Sequence, residues 1–203
     1  MYREDWAIAN VANLGPDFTL VSGTQQRIVS EAAVGAASGS SAGYYRYNVG
    51  KMASDHMRVD AGLITPPAGT LNSGIAAFIL ARMPDTFATG GAAGTYVAGA
   101  ITSGGAWAIQ SVNQTTFTSR ASGNIGTITL PGVLTLIAAG PLYVLLWNGS
   151  VLGSWTDANN TIAGIGASKR NWGVIVQCSA TNQQHPGIDW MCCHDLAGRA
   201  FAA

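Results

Sequence analysis

The sequence predicts an all-β protein built as a two-sheet antiparallel β-sandwich, and three observations carry that prediction. Glycine and proline interrupt the chain at short intervals, and the segments between them are rich in Val, Ile, Thr, Tyr and Trp, the residues that suit a pleated, half-buried surface. No stretch shows the sustained 3.6-residue periodicity of a long helix. Hairpin signals recur, the strongest being Trp147-Asn148-Gly149-Ser150, where Asn-Gly supplies the two positive φ angles of a type I′ turn.

The predicted strands, in order, are Phe18 to Ser22, Arg27 to Glu31, Ala42 to Asn48, His56 to Ile64, Gly74 to Met83, Gly94 to Ile101 and Ala106 to Val112. They continue with Thr115 to Ser119, Gly132 to Ala138, Pro141 to Trp147, Ser150 to Thr156, Trp172 to Ser179 and Gly187 to His194. Ser103-Gly104-Gly105 and Asn113-Gln114 mark further turns, so a ladder of consecutive hairpins is expected from Gly94 to Thr156. So many short strands must bury their apolar faces, and two stacked sheets do so. Ala32 to Gly43 and Gly90 to Gly94 are low in complexity and read as loops.

With 203 residues, residues 1–203 are expected to form a single domain, because sandwiches of about 200 residues commonly stay undivided. Charged residues make up 10% of the chain, against roughly 25% in an average soluble protein. Ten basic and ten acidic residues cancel, so no long-range field gathers phosphates, and nucleic acid is not an expected partner. A neutral, hydroxyl-rich surface suits self-association, and a homo-oligomer within a particle is expected.

The first residues, Met1-Tyr2-Arg3-Glu4-Asp5-Trp6, do not form the basic and apolar regions of an export signal, so synthesis in a reducing cytoplasm is expected. The odd count of three cysteines agrees. Ile128 to Trp147 carries no charge and is about as long as a membrane-spanning helix. Pro131-Gly132 and Gly140-Pro141 divide it, so it reads as two buried strands and no membrane insertion is expected.

The opening Glu4-Asp5-Trp6, Ala9-Asn10, Leu14-Gly15-Pro16-Asp17-Phe18, Val21-Ser22-Gly23 and Ile28-Val29-Ser30 resembles a recurring signature, "D-D-F-N-R-A-D…L-G…W…V-S-G…I…N". Leu134-Thr135-Leu136, Val144-Leu145-Leu146-Trp147-Asn148-Gly149 and Trp155-Thr156-Asp157 continue the likeness, and Ile188-Asp189-Trp190 with Asp195-Leu196 closes it. In this order the motifs resemble the concanavalin A-like, laminin G-like jelly rolls of minor tail proteins of actinobacterial phages. Trp6 and Trp190 depart from the usual phenylalanines but keep an aromatic. The resemblance implies a jelly roll with its first and last strands adjacent, which places Asp5-Trp6 beside Asp189-Trp190 and makes both tryptophans packing residues. It also implies a virion structural protein: a minor tail or tail-tip component, with other virion proteins as partners and host-surface glycan as a candidate ligand. A capsid decoration protein and a free carbohydrate-binding module are the alternatives.

The residue types argue against an enzyme. Glycoside hydrolysis needs two facing carboxyls, yet the only glutamates are Glu4 and Glu31 and no acids stand at alternate positions. Asp55 and Asp60 fall on opposite faces of one extended strand. No nucleophile elbow surrounds a serine, and His56, His185 and His194 have no triad spacing. His185, Cys192, Cys193 and His194 offer zinc-type ligands, but neighbours on a strand diverge, so they read as reduced cysteines in a sheet and no metal or cofactor is assigned. Asp157 to Asn160 could offer oxygen ligands to calcium and reads as a polar turn. For a glycan, aromatic faces beside amides or carboxylates are needed. The candidates are Tyr45, Tyr47, Trp107 and Trp155.

Overall fold

The strands form where β-branched and aromatic residues alternate between a buried and an open face, and they stop where glycine, proline or asparagine turns the chain. The computed structural model describes residues 1–4, 14–35, 40–85, 95–113, 115–160, 162–179 and 183–197. Its strands are β1 Tyr2–Glu4, β2 Phe18–Gly23, β3 Arg27–Val29, β4 Ala32–Val34, β5 Ser41–Tyr47, β6 His56–Ile64, β7 Thr70–Leu71, β8 Ala76–Met83 and β9 Thr95–Thr102. They continue as β10 Ala106–Asn113, β11 Thr116–Asn124, β12 Gly132–Ala139, β13 Leu142–Trp147, β14 Ser150–Thr156, β15 Asn171–Ser179, β16 Gln183–Gln184 and β17 Gly187–Asp195. One turn of 3-10 helix, Ala167–Lys169, precedes β15.

Two sheets result. The first runs β14-β13-β12-β6-β17-β4-β3, with β1 also paired to β17; the second runs β11-β10-β9-β8-β15-β16-β7, with β5 paired to β15 and β2 to β5. They are called the β6 sheet and the β15 sheet below. All pairings are antiparallel except β16 with β7. The first and last strands lie side by side, Tyr2 opposite Cys193 and Glu4 opposite Met191. Asp5 and Trp6, expected beside Asp189 and Trp190, lie outside the described residues, as do positions 90–94 of the second predicted loop.

The core fills the space between the sheets. Val59, Ala61 and Leu63 of β6, Leu134 and Leu136 of β12, Leu145 of β13, Ile79 of β8 and Val174 of β15 all point into it and are fully buried. Each large aliphatic side chain so placed contributes about 1.5–3 kcal/mol. A second apolar cluster covers the other face of the β15 sheet, where Tyr44, Leu80, Tyr96, Ala98 and Ile175 pack with Phe117.

Two expectations change. The hairpin ladder does not run unbroken to Thr156: β8 to β11 belong to the β15 sheet and β12 to β14 to the β6 sheet. Residues 125–131 cross between them, with Gly126 at φ +79° turning the chain. The stretch Ala32 to Gly43 is not all loop, because Ala32, Ala33 and Val34 are fully buried and pair with β3 and β17. Their small side chains lower the apparent complexity of the sequence, yet suit a crowded strand. Positions 36–39 of that stretch lie outside the described residues. The uncharged run Ile128 to Trp147 does contain two paired strands, β12 and β13. No helix among the described residues is long and apolar enough to cross a membrane.

Candidate functional site

β6 and β17 place a groove on the outer face of the β6 sheet. Core-facing residues alternate along β17, with Ile188, Met191 and Cys193 fully buried. Strict alternation is broken by one extra residue: the register to β6 slips between Ile188 and Trp190, so Asp189 is bulged. A bulge re-aims a side chain. Here it lets two consecutive residues, Asp189 and Trp190, line one groove of about 300 Å³ with Gly62, Ile64, Pro131, Val133 and Asn148.

Gly62 makes room for the indole. A Cβ on Gly62 would stand 2.2 Å from Trp190 Nε1 and 2.6 Å from its Cε2, so only glycine lets the ring lie against the strand. Arg3 of β1 sets its guanidinium carbon 5.6 Å from the ring centre, a cation–π approach. Asn148, in the type I′ turn at φ +49°, accepts a hydrogen bond on Oδ1 from the Val133 N–H at 2.7 Å. Its own N–H donates back to the Val133 carbonyl at 2.9 Å. The turn is thereby pinned at the groove rim. A half-buried indole, a carboxylate and a fixed amide on one small concavity are the parts from which a polyhydroxylated ligand is held: stacking below, hydrogen bonds at the edge.

A larger hollow of about 460 Å³ lies at one end of the β15 sheet, lined by Ser40, Ser41, Gln177, Cys178 and Ser179 among others. Hydroxyls and an amide line it, and its described walls include no aromatic ring.

The four aromatic residues expected to form a platform are placed elsewhere. Tyr45 and Tyr47 are corrected to core residues, 0% and 4% exposed. The Tyr45 hydroxyl accepts the Gln26 N–H at 2.6 Å, and the Tyr47 ring stacks on Trp172 at 4.5 Å. Alternation on β5 does separate them from Tyr44, which joins the outer cluster, but it turns the pair inward. Trp107 and Trp155 are half-buried where β14 approaches β10 and β11. Trp107 is wedged against Gly153 and Gly123, and Trp155 stacks on Tyr143 at 5.1 Å with the Arg120 guanidinium 5.5 Å from its ring. They close the seam between the sheets.

The late cysteines and histidines divide as strand geometry requires. Cys193 and His185 are fully buried, while Cys192 and His194, two apart on β17, share the outer face and meet Asp60 of β6. Burial first, then the Asp60 charge, pushes the Cys192 thiol up to about 11. The Asp157 carboxylate accepts the Ile162 and Ala163 N–H groups at 2.9 and 3.0 Å, so it caps its own loop in the manner of a polar turn.

Sequence reasoning noticed Trp190 as a packing residue and Asn148 as a turn residue, but not their meeting. The bulge at Asp189 leaves no mark in the hydrophobic pattern, and the strand order that brings β12, β6 and β17 together spans more than half the chain.

This architecture is a jelly roll: two antiparallel sheets packed face to face, with the first and last described strands paired. No family model matches the sequence, and no curated protein matches it. Among solved structures, the carbohydrate-binding module CBM66 of Bacillus subtilis superposes with a TM-score of 0.55 at 13% identity, over 84% of this chain and 91% of that one. The Emp47p carbohydrate recognition domain gives 0.58 at 13% identity, over 94% and 95%. The VIP36 exoplasmic/lumenal domain, in its Ca²⁺- and mannose-bound form, gives 0.57 at 9% identity, over 93% and 86%. At such identities the likeness establishes the fold.

Proposed function

We propose that this chain is a non-catalytic, lectin-like recognition domain mounted on a bacteriophage particle, in a minor tail or tail-tip position, with the Trp190 groove as its saccharide site. The observation that carries the saccharide half is the convergence of Trp190, Asp189 and Asn148 in one groove on a fold shared with carbohydrate-binding domains. Support for the particle half comes from the ordered sequence motifs and the low-charge surface. The outer face of the β6 sheet adds to it, because Leu142 and Val151 are 39% and 64% exposed beside half-buried Val144 and Leu146. Apolar strips of this kind are met where subunits are joined.

Binding of host cell-wall polysaccharide, measured by calorimetry, tests the groove. Trp190→Ala is expected to weaken binding at least tenfold, about 1.4 kcal/mol, with the fold intact by circular dichroism. Gly62→Ala is expected to do the same by displacing the indole. Trp107→Ala and Trp155→Ala are expected to act on stability first. Unchanged affinity in Trp190→Ala would remove the site from the proposal. Immunogold electron microscopy of particles tests the placement, and label absent from the virion would overturn it.

A further inference from the structure

Beside the groove, on the same outer face, three side chains of different chemistry converge. Asp60 sits in the middle of β6, and Cys192 and His194 flank it from β17, where Cys192 pairs with Asp60 itself and His194 with Arg58. Asp60 is 3% and Cys192 8% exposed, and the His194 side chain is 36% exposed. Cys192 Sγ lies 3.4 Å from His194 Nε2 and 3.8 Å from Asp60 Oδ2. His194 Nε2 lies 3.8 Å from the same oxygen.

We propose that Asp60, Cys192 and His194 form a zinc site, supplying three ligands of a tetrahedron whose fourth position faces the exposed side of His194. The geometry is the argument. Zinc bonds of about 2.3 Å to sulfur and 2.0–2.2 Å to nitrogen or oxygen place tetrahedral ligands about 3.3–3.6 Å apart. The triangle here has edges of 3.4, 3.8 and 3.8 Å, so closing on an ion needs shifts of only a few tenths of an ångström.

The surroundings orient the carboxylate as a ligand. The Thr135 hydroxyl donates to Oδ1, and Arg58 Nε lies 2.9 Å from each oxygen. Oδ2 is thus the oxygen directed at the sulfur and the imidazole. The Thr135 hydrogen bond holds the carboxylate in one orientation, as partners of metal-bound carboxylates do. Sulfur and nitrogen donors select zinc over calcium or magnesium. On binding, the Cys192 thiol passes its proton to water as the zinc–sulfur bond forms, and His194 ligates through Nε2 with its proton on Nδ1.

A cysteine–histidine–aspartate nucleophile fits the same atoms less well. In that arrangement the imidazole faces the sulfur with one nitrogen and the carboxylate with the other. Here a single nitrogen, Nε2, faces both.

Cobalt(II), which takes the same tetrahedral sites and reports thiolate ligation by a near-ultraviolet charge-transfer band, is the probe. Titration of the full chain is expected to produce that band, saturating at one equivalent and bleached by zinc. Zinc at about a hundredfold excess over its Kd is expected to raise Tm by roughly 5–10 °C. Cys192→Ser is expected to abolish the band, and His194→Gln, a change at a partly exposed position, to weaken cobalt binding at least tenfold while the fold is kept. A folded wild-type chain that gives no thiolate band at excess cobalt overturns the site. So does a band that survives in Cys192→Ser, since it would belong to another cysteine.

Discussion

Arg82 carries a charged head group with 1% of its surface exposed, and its backbone stands at φ +58°, where a side chain other than glycine or asparagine is strained. Its guanidinium explains why that conformation is kept. Nη1 donates to the Gly164 carbonyl at 3.1 Å, and Nη2 donates to the carbonyls of Asp55 at 2.7 Å and Gly140 at 2.5 Å. The head group also lies 5.4 Å from the Tyr143 ring centre. One side chain therefore ties three separate loops at one end of the sandwich. Arg82→Met preserves bulk and removes every donor, leaving those carbonyls to find water or go unpaired. It is expected to cost about 3 kcal/mol, a fall in Tm of roughly 6–12 °C, read by thermal and urea unfolding. A loss under about 0.5 kcal/mol would show that water replaces the guanidinium at no cost.

At the scale of elements, the turn chemistry was the most legible part of the sequence. Asn148 and Gly149 occupy φ +49° and +80°, as a type I′ turn between β13 and β14 requires, and both flanking strands lie where Val, Leu and Trp place them. Gly149→Ala should cost about 1 kcal/mol, the penalty of forcing a side chain into left-handed backbone, although open space surrounds its Cβ position. Stability equal to the parent would mean that the turn relaxes to another type. The short strands were not legible. Thr70–Leu71 and Gln183–Gln184 are held by their neighbours, not by propensity, and Ala32–Val34 is too small and plain to stand out from a loop. The candidate site was half legible for a related reason. Asn148 and Trp190 are visible singly, but only the bulge at Asp189 and the β12-β6-β17 strand order bring them together. For Tyr45 and Tyr47, alternation predicted correctly that they share a face and could not say which face was the core.

For the molecule as a whole, acidity should act through His185. Burial holds its pKa down to about 4, against a smaller upward pull from the Pro186 carbonyl, so the folded state keeps the ring neutral. The unfolded chain takes up a proton near pH 6.5. Because the unfolded state binds more protons, stability is full above that value and is lost as pH falls toward 4, at up to about 1.4 kcal/mol per pH unit. His185→Gln should flatten urea-unfolding stability across this window. An unchanged slope would assign the loss to other groups. Below it the carboxylates take over. Burial pushes Asp55 up, but hydrogen bonds from Arg170 and the Gly166 N–H outweigh it and hold the group below the ordinary carboxylate range. That contribution is present above about pH 4 and is lost as pH falls through the depressed value.

The position of β17 governs how this protein comes into being. It is the strand that joins β6 to β4 and carries β1, so until residues 187–195 are in place the β6 sheet exists as three unjoined pieces, β14-β13-β12-β6, β4-β3 and β1. Ile188, Met191 and Cys193 then enter the core together. The apolar faces of β6 and β4 stay open until this segment is captured, and that capture is expected to set the folding time. Topologies dominated by such distant pairings fold in roughly milliseconds to seconds, and the waiting intermediate is the state most exposed to aggregation.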